Sequence, residues 1–429
     1  MGNFLNTVIL LAICVCSIVE AENYGDSISN ANHTDKCFKH RLSNFPCSST
    51  IMGNLLLIVF YGVILIVAAK LISDGAELLL DLGLHAGIIG GIVLPLLGVV
   101  PDAAIIVVSG LKPDAQYQIS VGMGTLAGST IMLLTLSWGG SLFIGRCDLD
   151  SNGEAIEGTG KGINCLKQGV TLLPSVQKSS NIMLITSLLY LVVQSADWHW
   201  GPKKYPPHDP PQPKYVKDSA LATVILCAIS FVAYLAFLVS GNFTHVRKCY
   251  GTATDKERSK VVVALKCFFM LCGGVAMVTI FSDPMCDVLS GITNKANGDN
   301  GGSYINISPF YVSFVVTPIC SNASELVSSL LFAAKKKKEN VSITYAQLYG
   351  AATMNNTMCL GIFCVLVYIK NLEWYYSAEV TVILLVQWLV FVMGFPLTYK
   401  LWKVVPVAFL YVFSIILIAI LESTAVGWK

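Results

Sequence analysis

The segment that most constrains this chain is SPFYVSFVVTPICSNASELVSSLLFAAKKKK, Ser308 to Lys338, an apolar run of membrane length with one carboxylate, Glu325, near its middle. A carboxylate at membrane depth is disfavoured by roughly 2.5–3.5 kcal/mol on insertion scales, so its presence points to an ion path or a relay. Pro318 and the small polar residues Ser321, Asn322 and Ser324 precede it. Together they predict a broken helix whose freed carbonyls face a cavity rather than lipid. The first half carries a partner, IIGGIVLPLLGVVPDAAIIVVSGLK, in which Asp102 is the lone carboxylate. In both segments the acid follows a proline by seven residues, Pro95 to Asp102 and Pro318 to Glu325. Interrupted membrane helices at corresponding places in two halves are the sequence mark of a secondary transporter's binding site.

Composition agrees with a chain that lives in a bilayer. Of 429 residues, 54% are hydrophobic and only 13% charged, with a mean hydropathy of +0.66, against about 25% charged in a soluble globular chain. The net charge of +2 leaves no clustered basic excess for a nucleic-acid partner. There is no Walker A loop and no H-E-x-x-H pair, so ATP-driven pumping and zinc proteolysis find no residues to carry them. The partners implied are the lipid bilayer and small inorganic cations; no cofactor is called for. The sequence sets no oligomeric state.

The apolar runs predict ten spans, at about 51–72, 84–110, 119–144, 180–195, 218–240, 261–282, 307–334, 345–369, 377–396 and 402–422. The expected fold is therefore an all-α multi-pass membrane protein of two five-helix halves, 51–240 and 261–422, with repeats at 84–144 and 307–369. Five is odd, so two such halves in series run in opposite directions across the membrane, an inverted repeat. Residues 1–21 read as a secretory signal peptide, and 22–50 as a lumenal or extracellular segment with a glycosylation acceptor at Asn32. An outside N-terminus places the loops 241–260 and 335–344 in the cytosol, where Arg247, Lys248, Lys256, Arg258, Lys260 and Lys335 to Lys338 satisfy the positive-inside rule. The 196–217 loop, with four lysines and the run PPHDPPQP, lands outside and argues weakly the other way; the prolines read as a stiff spacer. The signal directs the chain into the secretory route and leaves the destination membrane open.

Fourteen cysteines are scattered without C-x-x-C spacing, and most sit in apolar runs as small apolar residues. Cys37 and Cys47 lie in the polar segment after the leader and are candidates for a disulfide there. The loop sequence CDLDSNGEAIEGTG opens like a calcium-binding EF-hand, with Asp148, Asp150, Asn152 and Gly153. Its twelfth position is Thr159 rather than a glutamate, so a polar turn is expected.

Calcium takes six to eight oxygen ligands, and two facing interrupted helices can supply them. Asp102 and Glu325 bring the charge, Ser321, Asn322 and Ser324 lie within a turn of Glu325, and carbonyls near Gly98 and Cys320 would help to complete the shell. The next span of each half adds Ser129 and Thr130 in LAGSTIMLL, and Asn355 and Asn356 in TMNNTMCLG. These four either flank the same site or join helices by interhelical hydrogen bonds. Asp74, Glu77, Asp81 and Asp287 fall just before the acid-bearing spans and read as interfacial.

The pair GAELLLDLG…GIIGGIVLPLLGVVPDAAIIVVSGL and SPFYVSFVVTPICSNASELVSSLLFAAKKK…YGAATMNNTMCLGIF resembles the two alpha repeats of the calcium/cation antiporter superfamily. It looks most like the plant sodium/calcium exchanger-like proteins, from about residue 51 to 422. The resemblance implies exchange of calcium, or another divalent cation, for sodium or protons by alternating access. It places Asp102 and Glu325 as the central acids, Ser321 and Asn322 at the positions before the second acid, and Ser129 with Asn355 or Asn356 on the following helix. Two departures stand out. After Gly98, Val99 and Val100 occupy positions where many members carry hydroxyls, and the central loop 241–260 has none of the EF-hands of the plant relatives. The departures keep a second reading open, an exchanger-fold protein with weak or no transport acting as a regulator or binding partner.

Overall fold

A computed structural model describes residues 51–82, 88–111, 115–160, 162–200, 214–249, 257–294, 311, 314–315 and 317–422. The signal-peptide expectation, Asn32, Cys37, Cys47 and most of the Pro-rich spacer lie outside these residues. Six helical stretches are long and apolar enough to cross a membrane: Leu55–Ala76, Gly122–Gly145, Pro174–Ser195, Val216–Leu238, Lys338–Lys370 and Leu401–Leu421. Four shorter apolar helices, Ile89–Val99, Val262–Val278, Glu325–Ala334 and Ser377–Met393, make ten among the described residues. Each overlaps one of the ten apolar runs, because hydropathy over about 20 residues is the one signal the bilayer imposes directly.

The first helix, α1, runs Ile51–Asp81. A π-helical turn at Ile89–Val93 leads into α2, Leu94–Leu111. Next comes α3, Ala115–Met132, then a second π turn at Leu133–Ser137 and α4, Trp138–Gly145. Helices α5, Pro174–Ser187, α6, Leu189–Trp200, and α7, Lys214–Cys249, complete the first half. The second half opens with α8, Glu257–Asn294. It continues with the short α9, Thr317–Ser321, and α10, Ala323–Ala334. Helix α11, Lys338–Met354, ends in a third π turn, Asn355–Cys359, and passes into α12, Leu360–Lys370. The chain finishes with α13, Ser377–Met393, and α14, Val404–Glu422.

The helical fold carries one addition, and two expectations need correction. Strands β1, Cys147–Asp148, β2, Gln168–Thr171, and β3, Thr398–Lys400, form a small antiparallel sheet in the order β1-β2-β3. Short extended segments leave few sequence marks, and β3 pairs with β2 from the opposite half of the chain. The loop 241–260 is mostly helical, since α7 and α8 reach to Cys249 and from Glu257. Asp74, Glu77 and Asp81 sit on the unbroken α1, and Asp287 on α8, rather than in links.

The sheet gathers loop ends that the sequence assigns to one side of the membrane. Lys336 Nζ donates to the Thr159 carbonyl at 2.8 Å, and the Lys338 amide donates to Glu157 Oε1 at 2.7 Å. The Trp402 amide donates to the Cys165 carbonyl at 3.1 Å. At the other end, Trp374 Nε1 donates to Gln194 Oε1 at 2.9 Å and Gln194 Nε2 to Ser377 Oγ at 2.6 Å. In the EF-like loop, Asp150 Oδ1 accepts the amides of Asn152 (2.9 Å) and Glu154 (2.8 Å), so it closes a polar turn.

The buried apolar residues fall into two clusters. The larger joins α2 to α7 with α11 to α14 around Trp138, Tyr345, Tyr349 and Tyr399. The smaller is built on α1 and α8 and touches the rest through Leu94, Phe332 and Ile343. Helices α1 and α8 approach closely at Gly274, where a Cβ would come within 2.6 Å of the Ile72 side chain, and at Gly75, where it would come within 3.1 Å of Leu271.

Candidate functional site

The two acid-bearing segments are interrupted differently. In the second half the helix breaks at Asn322, whose φ of −101° and ψ of 16° separate α9 from α10. Glu325 therefore falls in the first turn of α10, where unpaired amides and the helix dipole favour negative charge. In the first half α2 runs unbroken through Pro95, Pro101 and Asp102, and the irregularity is the π turn at Ile89–Val93 just ahead of it. The Tyr234 hydroxyl donates to the Gly91 carbonyl within that turn, so α7 takes up one of its acceptors. The expectation of two broken helices holds for one; the other carries a π turn, a device common at functional sites.

Prolines lock the halves together across the centre. Pro318 of α9 lies against Gly128 of α3, and Pro95 of α2 against Gly350 of α11; in both places a Cβ on the glycine would sit 2.6 Å from the proline Cγ. Each half thus seats the proline of its acid-bearing segment on the following helix of the other. The result brings Asp102 and Glu325 together, 1% and 4% exposed, near enough for the Asp102 charge to act on Glu325.

Asp102 is surrounded by Ser129, Ser321 and Asn322, all in hydrogen-bonding reach of its carboxylate. Asn322 is the hub: its Nδ2 lies 2.8 Å from Ser129 Oγ, 3.0 Å from Ser321 Oγ, and 3.3 and 3.5 Å from the two Asp102 oxygens. An amide can offer its nitrogen to a carboxylate or its oxygen to a cation. Glu325 is placed otherwise. Its carboxylate lies directly on Gly98 of α2, where even a methyl group would overlap Oε1. That oxygen is buried without a hydrogen-bond partner among the described residues. No basic side chain acts on either acid among those residues. Sequence reasoning named Gly98 for its carbonyl; its missing side chain is the stronger reason for glycine there.

The two asparagines of the third π turn part company. Asn355 Nδ2 donates to Thr130 Oγ1 at 3.1 Å, across to the first half and beside Ser129. Asn356 faces the other way and makes a reciprocal amide pair with Gln387 of α13, at 2.7 and 2.9 Å, with further contacts to Thr186 Oγ1 and the Met183 carbonyl. Its polar atoms are engaged in joining helices. Ser324 falls on α10 next to Glu325. Val99, which stands in place of a hydroxyl-bearing residue, is buried at 3%.

The site therefore offers two carboxylates and several neutral oxygens, with no group of three or more His, Cys, Asp or Glu side chains poised for a metal among the described residues. Such a mixture suits a hard cation bound through oxygen, held loosely enough to leave.

Comparison with known proteins gives one consistent answer. The family model described as sodium/calcium exchanger protein matches residues 53–240 and 266–421. The sodium/calcium exchanger NCL2 of Oryza sativa subsp. japonica is 28% identical over 525 residues, covering 90% of this chain and 88% of that protein. The sodium/calcium exchanger NCL of Arabidopsis thaliana is 28% identical over 537 residues, covering 90% and 88%. Among solved structures, the sodium-calcium exchanger NCX_Mj superposes with a TM-score of 0.57 at 14% identity, over 86% of this chain and 99% of that one.

Proposed function

This chain belongs to the sodium/calcium exchanger family, and from that premise we propose that it is a secondary antiporter moving calcium, or another divalent cation, against sodium or protons by alternating access. The chemistry is not enzymatic: no bond is made or broken, and the cation is cargo. The observation that carries the reading is the meeting of Asp102 and Glu325, one from each half, buried among neutral oxygens without a basic partner among the described residues.

In this reading Asp102 and Glu325 supply the charge, with Ser129, Ser321, Ser324, Asn322 and Asn355 as neutral oxygen donors. The Asn322 amide turns from bonding Asp102 to presenting its oxygen as a cation arrives. Asn356 braces the site through Gln387. The ten helices cross as two inverted five-helix halves, which the paired proline–glycine contacts and the matched π turns at Leu133–Ser137 and Asn355–Cys359 support. Alternating access then needs a body that moves against the rest. The α1–α8 pair, with its own apolar cluster laid on α9 and α10, fits that part. The protein sits in the vacuolar or plasma membrane with its N-terminus outside or lumenal.

The test is calcium uptake into proteoliposomes under an imposed sodium gradient and then a proton gradient, for the native chain, Asp102→Asn and Glu325→Gln. Uptake driven by one gradient and abolished in both variants, which still insert and purify, is expected. Undiminished exchange in both variants would sink the proposal. Absence of uptake under either gradient from folded native protein would favour a regulator that keeps the fold without the transport.

A further inference from the structure

One turn beyond Glu325 toward the Ala334 end of α10, a second polar station lies inside the protein. Ser328 is fully buried, and its hydroxyl donates to the Glu325 carbonyl at 3.2 Å. It accepts Gln347 Nε2 of α11 at 3.0 Å. The Gln347 side chain is 1% exposed, yet its Oε1 has no partner among the described residues. The π turn Leu133–Ser137 and α4 pack against both α10 and α11, and the Tyr345 hydroxyl of α11 donates to the Trp138 carbonyl of α4. Ser137 and Ser141 flank that contact, each buried and each with an unpartnered Oγ among the described residues. With Glu325 Oε1, four buried oxygens on α10, α11, α4 and the π turn before it are left without donors among the described residues.

Unpartnered buried oxygens are disfavoured unless something arrives to meet them. All but Glu325 are neutral, which matters for what arrives. Divalent-ion affinity rises with the number of charged ligands, and a set of neutral oxygens with a single carboxylate oxygen balances one positive charge. Sequence position sharpens the point. The residue three after the first acid is Ile105, and the one eight before Ser129 is Val121, where the second half has Ser328 and Gln347. The repeat is polar on one side only. Ser328 lies six residues from the end of α10 at Ala334, a rise of about 9 Å, on the way to the lysine-bearing loop.

We propose that Gln347, Ser328 and the free oxygen of Glu325, flanked by Ser137 and Ser141, form a binding station for a monovalent alkali cation, separate from the shell around Asp102. This rests on the antiporter reading and gives its counter-ion a place.

The test is equilibrium binding of radioactive sodium and radioactive calcium to the purified full-length protein, native, Gln347→Leu and Ser328→Ala, with gradient-driven uptake measured in parallel. Sodium binding about tenfold weaker in Gln347→Leu, with calcium binding within about twofold of native, is the expected result. Ser328→Ala should move in the same direction by less. A misfolded variant would lose both ions together, so the split between them is the diagnostic readout. No sodium binding by native protein, unaltered sodium binding in both variants, or parallel loss of both ions overturns the station. Failure of the antiporter reading looks different: both ions bind as expected but no gradient drives uptake.

Discussion

Gly98 illustrates how a single missing side chain shapes the site. The Glu325 carboxylate rests against it, with no room for a methyl group. Gly98→Ala should lower calcium uptake by about tenfold or more, a barrier of roughly 1.4 kcal/mol, and Glu325→Asp in the same chain should restore part of it by drawing the carboxyl back one methylene. Uptake assays on the single and double variants check this; an unaffected Gly98→Ala would mean that Glu325 lies elsewhere. Glu325 and Asp102 were legible from the sequence because a bilayer disfavours an acid in an apolar run unless an ion path or a relay needs it. The seat on Gly98 and the free oxygen of Gln347 were not, since both depend on which helices pack together and in what register. The doublet Asn355-Asn356 marks the limit. Neighbours in a helix point about 100° apart, so only packing decides that Asn355 meets Thr130 while Asn356 meets Gln387.

At the scale of helices, the Asn356–Gln387 pair is a brace. Removing one partner strands a buried amide, so Asn356→Leu and Gln387→Leu should each destabilise the protein by about 1–3 kcal/mol. The double variant, with both groups gone, should recover much of that loss, while calcium half-saturation stays near the native value in all three. Thermal unfolding in detergent, set beside binding, gives the comparison; a large fall in calcium affinity with Asn356→Leu alone would return that residue to the ion shell. Helices α1 and α8 make a second case. Gly274→Leu should push the two apart where Ile72 now fits, and slow exchange while leaving equilibrium calcium binding intact, because Ile72 belongs to the α1–α8 cluster whereas Val99 and Ala103, beside Asp102, belong to the other. Equal loss of binding and exchange would count against α1 and α8 as a moving body. The break at Asn322 was readable from its proline and small polar neighbours. The π turns were not, because a one-residue widening of a helix leaves no compositional trace.

For the whole molecule, the sheet and its attached loops make a test of sidedness. Asn152, in the loop that precedes β2, and Asn371, after α12, are both exposed. In a chain whose native cysteines are replaced, Asn152→Cys and Asn371→Cys should react with an impermeant thiol reagent from opposite sides of the membrane, with Asn152 on the cytosolic side. Labelling of both from the same side would break the ten-span count. The apolar helices behind that count were legible because the length of an apolar run answers to bilayer thickness alone. The sheet escaped notice since β3 is only three residues, Thr398–Lys400, and finds its partner in the other half of the chain.

The interlocking of the halves also sets a problem of timing. Asp102 is synthesised 220 residues before the Asn322 amide that bonds it, and at about 5–20 residues per second that interval is roughly 10–45 s. Through that wait the nascent first half carries a carboxylate with no companion, beside Gly128 and Pro95 surfaces that nothing yet covers. A ribosome slowed between α7 and α9 should therefore leave a species that insertion machinery must shelter and quality control can recognise, and the moment Pro318 seats on Gly128 becomes the point at which the newborn chain is released from that surveillance.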